Sequence, residues 1–524
     1  MRTAGRYDAI VIGGGPNGLL CAAYLAKHGN KVLLLERRHE TGGGLNTDEY
    51  YGFRLNLHAL YHMMGEAMPA YRDLDLANLG VRYIYPRIGA AFPFRDGRTL
   101  VFSRDPAETA RSIATFSATD AVAFERMWNE FQPMLEHYLV PMTYQLPEPP
   151  VDQMIAFSKT PTGARLAEIS ELSFIELLDA YGFTDARVRM ALLSFPAVWG
   201  LRLEDPLGYL FPLYLCRMLS AGLVKGGSHR LSSAIYRSLL RSGGTVLEQC
   251  EATGIILDHG AAVGVEASAG RRFEARAIVS TLNPEQTFVE LVGAAALPDG
   301  LREAVQLWEW EERTMFGLHL GVRGDITYKA ADPRVGDALI VFCGLETEQA
   351  LHEHLRRVDA GEERTCAWLH VTIPTRFDKT MAPPGHALLR AEAVVQYDVP
   401  WRTHGRPFAE SCIRLLEEYA DIGETVLRRE YTPLDIEAKL TTMKRGSIKH
   451  GAYTPLQMGY LRPNNLCSQS ETPVPGLFVG GASMYPGGMI LGGPGFLAAR
   501  VVGAFLEAGP KACAPRNDCE TPSG

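Results

Sequence analysis

Residues Tyr7–Glu36 read YDAIVIGGGPNGLLCAAYLAKHGNKVLLLE, and the fold turns on them. Tyr7–Ile12 is a short apolar run that ends in Gly13-Gly14-Gly15. Asn17–His28 carries the helix formers Leu19, Leu20, Ala22, Ala23, Leu25 and Ala26, and stops at Gly29, a residue suited to the position just past a helix end. Lys31–Leu35 is apolar again and does not alternate, as expected of a parallel strand buried on both faces. The stretch is one βαβ unit.

Gly13-x-Gly15-x-x-Gly18 sits between the first strand and the helix. In that context Gly13 permits a tight turn, Gly15 lets backbone approach a pyrophosphate, and Gly18 lets the helix pack on the strand. The helix N-terminus supplies N–H donors and a positive dipole end for phosphate. Glu36 closes the second strand, where a carboxylate accepts the ribose hydroxyls of an adenine dinucleotide. Gly42-Gly43-Gly44 follows shortly after, and this second glycine run favours FAD over NAD. A third run, GLFVGGASMYPGGMILGGPGFLAAR at Gly476–Arg500, reads as strand, glycine loop and helix, with the helix starting near Pro494. A helix N-terminus aimed at a flavin pyrimidine stabilises the reduced anion.

Working outward, Phe124–Leu135 lies in a helical region spanning 95–140, and Pro141, Pro147, Pro149 and Pro150 mark a long loop. Residues 163–221 read as helical. Nucleotide-domain character returns at Gly226-Gly227: a helix over Leu231–Arg241, a strand at Thr245–Cys250, a hairpin around His259-Gly260 and a strand at Ala277–Thr281. Strands follow near Phe316–Val322, Ala338–Phe342, Cys366–Ile373 and Ala387–Val395, with a helix near Phe408–Tyr419. Two sequence types therefore alternate. The expected class is α/β: a Rossmann-like FAD-binding domain (1–90, 222–290, 440–510) with an inserted α+β substrate domain (91–221, 291–439) and a polar tail (511–524). This is the glutathione-reductase-type flavoprotein architecture.

Composition narrows the function. The 524 residues carry a net charge of −8 and are 46% hydrophobic, which argues against disorder and against a basic nucleic-acid binder. The nine cysteines are scattered without a CxxC pair, as expected of buried thiols in a reducing cytoplasm. No uncharged apolar run is long enough for a transmembrane helix. The nearest, Leu207–Val224, reads as the core of the second domain, or alternatively as a greasy channel or a peripheral membrane contact. His58 and His62 stand four apart, a spacing that on a helix puts both on one face, but no further metal ligands accompany them and no metal is expected.

Tyr7–Glu36, the 42–47 run, the VKGGSHRLSSAI run, Val279–Pro284 and ASMYPGGMI together resemble the phytoene-desaturase-like branch of the FAD-dependent amine-oxidoreductase superfamily, near carotenoid ketolases and pyridine-nucleotide-disulphide-oxidoreductase-domain proteins. The resemblance implies FAD lying extended between the N-terminal unit and the C-terminal glycine loop, capped by the second domain. The cofactor-binding residues it implies are Gly13, Gly15, Pro16, Asn17, Gly18, Glu36, Arg37, Gly43, Gly44 and Leu45 at the head. Ala252 and Ser280 follow in the middle, and Gly481, Ala482, Gly488, Met489 and Ile490 in the tail. Cys250–Ala252 would flank the adenine. The chain departs from the family pattern at Gly44, Tyr485 and Met489. Flavin-facing candidates are His58, Tyr485 and Met489, with no catalytic acid or base assigned. The expected activity is hydride removal from a C–H bond of a small hydrophobic, isoprenoid- or carotenoid-like substrate, with oxygen, a quinone or another acceptor reoxidising the flavin. The alternatives are an amine or amino-acid oxidase, a flavin-dependent isomerase or saturase, and a non-catalytic flavin-holding scaffold.

Overall fold

The computed structural model describes residues 4–509; the expected polar tail, with Cys513 and Cys519, lies outside them. Strand β1 (Ala4–Ile12) leads through the glycine turn into helix α1 (Pro16–Lys27) and strand β2 (Val32–Leu35). Leu33 and Leu34 are fully buried, as the unalternating run requires. α1 starts on Pro16 with Gly15 extended at its N-cap, and no side chain caps its free N–H groups. It ends where Gly29 adopts φ +85°.

The remaining parts of this sheet arrive much later in the chain. They are α2 (His229–Arg241), β3 (Thr245–Leu247), β4 (Ala252–Asp258), β5 (Ala261–Ala267), β6 (Arg271–Ser280), β7 (Leu477–Val479) and α3 (Gly493–Ala508). The strand order is β3-β2-β1-β6-β5-β4. The second half of β6 pairs in parallel with both β1 and β7, while its first half pairs antiparallel with β5. α3 lies on α1, with Tyr24 and Phe496 edge to face at 5.2 Å. This is an α/β, Rossmann-like sheet with helices against it.

A second seven-stranded sheet runs in the order 424–431, 313–323, 386–396, 369–372, 338–343, 88–93, 99–103. Helix Trp401–Tyr419 packs on one face through Phe408, Cys412 and Leu416. The helices between 106 and 197 join the largest core cluster.

Four local expectations change. The stretch around 99–103, read as helical, is the strand Thr99–Ser103; flanking charges at Arg98 and Arg104 mask a short run buried on both faces. The boundary expected at residue 90 falls inside strand Ile88–Pro93, which pairs in the second sheet. The proline-marked loop is short, because Pro150 occupies the first turn of helix Pro150–Ser158, where its missing N–H costs nothing. Strand Glu424–Tyr431 went unread, since its alternation is hidden under five charged residues. Leu207–Val224 is largely buried: Leu210, Phe211, Tyr214, Leu215, Met218 and Leu219 all join the core, so the stretch offers no surface to a membrane. No helix among the described residues is long and apolar enough to cross one. The seven described cysteines are unpaired, and all but Cys366 are buried.

Candidate functional site

A long cleft runs from the α1 N-terminus, across the face between the two sheets, to a pocket under the C-terminal loop. At its first end, Gly13 takes φ +99° and a Cβ on Gly18 would stand 1.9 Å from the Gly13 carbonyl oxygen. Gly15 lines the cleft, and a Cβ there would meet nothing within 4 Å. The uncapped N–H groups of α1 therefore face open space, which suits an anion. Glu36 is oriented by backbone: its Oε2 accepts from Gly14 N–H and its Oε1 from Arg38 N–H, both at 2.8 Å. Gly42 N–H donates to the Gly14 carbonyl at 2.7 Å, locking the second glycine run onto the first.

The middle of the cleft is walled by Arg37, Arg38, Gly43, Gly44, Cys250, Glu251, Ala252, Thr281 and Leu282. Arg38 pairs with Glu40 through Nη2 at 2.8 Å, while its buried Nη1 has no partner. An unmet guanidinium N–H beside an uncapped helix terminus fits an anionic dinucleotide. Thr281 Oγ1 donates to the Ile12 carbonyl at 2.8 Å and fixes the wall to β1.

The far end is apolar on one side and polar on the other. Tyr61, Trp199, Met315, Ile448, Met489 and Ile490 form the apolar side. Tyr61 and Trp199 meet edge to face at 6.1 Å. The polar side is the floor supplied by strand 386–396, where Arg390 and Glu392 alternate onto one face. Glu392 binds Arg390 and also His370 Nε2, the latter at 2.7 Å. Burial pushes the Glu392 carboxyl up, but Arg390 and His370 outweigh that and hold it at about 2. His58 stands across from this floor. Burial, reinforced by Lys439 and Arg390, holds its imidazole at about 3, and its Nε2 has no partner. His450 lines the same end, with burial holding its ring at about 4.

The loop bearing His58 is set by the VKGGSHR run. Ser228 N–H donates to Asn56 Oδ1 at 2.9 Å, and Ser228 Oγ donates to the Ala59 carbonyl at 2.6 Å. The C-terminal loop is set by Arg462, which is fully buried. Its guanidinium donates to the carbonyls of Lys449, Ala452, Gln457 and Ala482 at 3.1–3.3 Å and to that of His450 at 3.4 Å.

Known proteins share the sequence that builds this cleft. The profile of the NAD(P)-binding Rossmann-like domain matches residues 11–74. A limonene dehydrogenase polypeptide of Castellaniella defragrans is 40% identical over 517 residues, covering 94% of each chain. The neurosporene-forming phytoene desaturase of Cereibacter sphaeroides is 24% identical, covering 98% of this chain and 96% of its own. The chain belongs to the phytoene-desaturase-like family of flavin-dependent oxidoreductases. Among solved structures, putrescine oxidase superposes with a TM-score of 0.62 over 97% of this chain and all of its own, at 16% identity, which shows the shared fold.

As a member of this family the chain is an oxidoreductase, and the position of each expected residue can be judged against the cleft. Gly13, Gly15, Pro16, Asn17, Gly18, Glu36, Arg37, Gly43, Gly44, Ala252, Ala482, Gly488, Met489, Ile490 and His58 all line it. Leu45, Ser280, Gly481 and Tyr485 do not. Leu45 is fully buried beneath the glycine run. Ser280 is sealed inside the sheet, its hydroxyl 2.7 Å from that of Thr287, and the neighbouring Thr281 reaches the wall instead. Gly481 backs onto Thr281, whose carbonyl oxygen would lie 2.3 Å from an added Cβ. Tyr485 points away and donates to the Met142 carbonyl at 2.8 Å. His58 and His62 are not on a helix: His62 sits in strand Tyr61–His62, with Nδ1 2.9 Å from the Tyr83 hydroxyl. Gly226 and Gly227 also lie off the cleft and serve the turn that holds the His58 loop. Among the described residues no group of three or more His, Cys, Asp or Glu side chains is placed to hold a metal. Trp199, Met315, Arg390, Glu392, Lys439 and His450 went unnoticed in sequence. Only Arg390 and Glu392 left a signal there, as two alternating charges inside an apolar strand.

Proposed function

We propose that this protein is an FAD-dependent dehydrogenase of a small hydrophobic, isoprenoid-like substrate, built on the glutathione-reductase-type plan. The continuity of one cleft, from the dinucleotide motif to an apolar pocket lined by Tyr61, Trp199, Met315, Ile448, Met489 and Ile490, carries this reading. In it, Glu36 takes the adenosine ribose hydroxyls. The α1 N-terminus and Arg38 take the pyrophosphate, Cys250–Ala252 flank the adenine, and Ala482 and Gly488–Ile490 border the ring. The bound flavin supplies two-electron redox chemistry. The chain binds and orients the substrate and keeps water out through the aromatic and thioether wall. The limonene dehydrogenase relative, at 40% identity, supports the substrate class.

The amine-oxidase alternative fares worse on one observation. Glu392, the carboxylate on the floor of the pocket, is already engaged by Arg390 and His370 and so is not free for an ammonium. The test is anaerobic mixing of FAD-reconstituted protein with limonene, phytoene and a panel of amines. Bleaching of the flavin by the isoprenoids alone is expected. Bleaching by amines alone, or failure of the protein to take up FAD, refutes the proposal. Reduction by dithionite but by no substrate would indicate the scaffold instead.

A further inference from the structure

The substrate end of the cleft holds a histidine for which the fold has no structural use. The His450 ring lines the cleft, its Nδ1 is sealed from solvent without a partner, and among the described residues no protein group hydrogen-bonds either ring nitrogen. Its backbone is left-handed, at φ +58°, as are the neighbouring wall residues Met489 (φ +65°) and Ile490 (φ +58°). Such a conformation costs a side-chain-bearing residue about 1–3 kcal/mol and persists where the surroundings impose it, commonly at functional sites. Here they do impose it: the His450 carbonyl accepts from Ser483 Oγ at 2.9 Å and from Arg462 at 3.4 Å, and the adjoining Lys449 ammonium donates to the Trp199 carbonyl at 2.7 Å. The main chain on both sides of the ring is thus fastened to the C-terminal loop and to the aromatic wall, while the ring itself is left free.

We propose that His450 is the catalytic base of the dehydrogenation, a role that rests on the dehydrogenase reading above. One substrate carbon gives up hydrogen with its bonding pair to the oxidised flavin. The neighbouring carbon gives its hydrogen as a proton to His450, and the C–H pair left behind becomes the new π bond. Two electrons leave the substrate, the flavin is reduced, and the imidazolium later returns the proton to solvent. Loss of hydride leaves an electron-poor centre whose neighbouring C–H is strongly acidic, so a neutral, weakly basic imidazole suffices. The charged groups facing the ring are Glu311 and Arg462, with Lys449 paired to Glu311 at 3.6 Å. Burial dominates over them and keeps the ring uncharged and able to accept at neutral pH.

The test uses His450→Asn and His450→Gly, both of which tolerate left-handed backbone. In the FAD-loaded protein, anaerobic flavin reduction by limonene or phytoene should fall at least about 100-fold, the span of general-base contributions. Added imidazole should restore part of the rate in the glycine variant, and FAD affinity should stay within about threefold. Imidazole nitrogen NMR of holoprotein labelled at histidine, assigned by difference against His450→Asn, should show a neutral ring from pH 8 to pH 6. Wild-type reduction with an unchanged rate in both variants overturns the assignment and leaves the dehydrogenase reading intact. A large loss of FAD affinity makes the ring a cofactor anchor and also overturns it, as does a ring protonated at pH 7. A wild type reduced by neither isoprenoid sinks the dehydrogenase reading, and this assignment with it.

Discussion

Gly18→Ala tests the dinucleotide end of the cleft. The new Cβ would lie 1.9 Å from the Gly13 carbonyl oxygen, 3.1 Å from its carbon and 3.2 Å from Thr281 Oγ1. The first two are backbone atoms of a turn held by Gly13 N–H to the Leu35 carbonyl at 2.9 Å, and Thr281 is pinned to β1, so none of them can swing aside. Restoring ordinary contact, 3.4 Å, means retreat of the α1 N-terminus by about 1.5 Å. That stretches a 2.9 Å hydrogen bond to a phosphate beyond 4 Å, outside the working range. Losing two charge-assisted bonds of about 1.5 kcal/mol each weakens FAD binding by about 3 kcal/mol, or roughly 100-fold. Overpacking costs the apoprotein a further ~1–3 kcal/mol. Titrating apoprotein with FAD by flavin fluorescence, alongside melting curves of both proteins, reads the two effects separately. A variant that melts lower yet binds FAD within threefold of wild type would refute the argument, because it would show that the helix end can move without being felt by the ligand.

Glu36→Gln keeps an acceptor for Gly14 N–H but removes the charge, so FAD affinity measured by the same titration should fall about tenfold, one charged hydrogen bond's worth. Met489→Gly relieves a left-handed residue while clearing a side chain from the pocket wall, so the melting temperature should change little while bulkier isoprenoids begin to bleach the flavin. Acid should unfold the protein steeply. Burial holds His58 at about 3 and His62, His319, His354 and His450 at about 4. The unfolded chain protonates these rings near 6.5, so it binds more protons and stability falls as pH drops from about 6.5 toward 4. Five such groups give a slope approaching 7 kcal/mol per pH unit at the lower end, which urea titrations at pH 7, 6 and 5 would detect.

The βαβ unit and Glu36 were legible because their chemistry is local: each motif residue lies within a few positions of the next, and the helix and strand between them fix its place. The tail loop was legible for a partly different reason than its glycines suggested. Gly488 borders the cleft, but Gly481, Gly493 and Gly495 serve contacts of backbone on backbone, with Thr281, Thr143 and Asn17. A glycine count cannot separate approach to a ligand from approach to another loop. The substrate end was not legible at all. Trp199, Met315, Arg390 and His450 come from four separate segments, and only the pairing of strands 313–323 and 386–396 makes neighbours of two of them. Ser280 and Thr281 show the resolution limit of pattern reading: on a strand, one residue's shift turns a side chain from the sheet interior to the wall.

The seating of α3 against α1 has a consequence for synthesis. Gly495 rests so close to Asn17 that an added Cβ would fall 2.2 Å from its carbonyl oxygen, and β7 completes the sheet beside β6. The first helix of the chain therefore receives its covering layer from nearly the last residues made. At ordinary elongation rates the ribosome needs roughly 20–90 s to travel from one to the other. During that interval the apolar flank of α1 has no native partner from the C-terminal segment. A nascent chain of this protein thus depends on chaperones or on provisional contacts early in its life, and truncation of even its final thirty described residues exposes the surface laid down at the start.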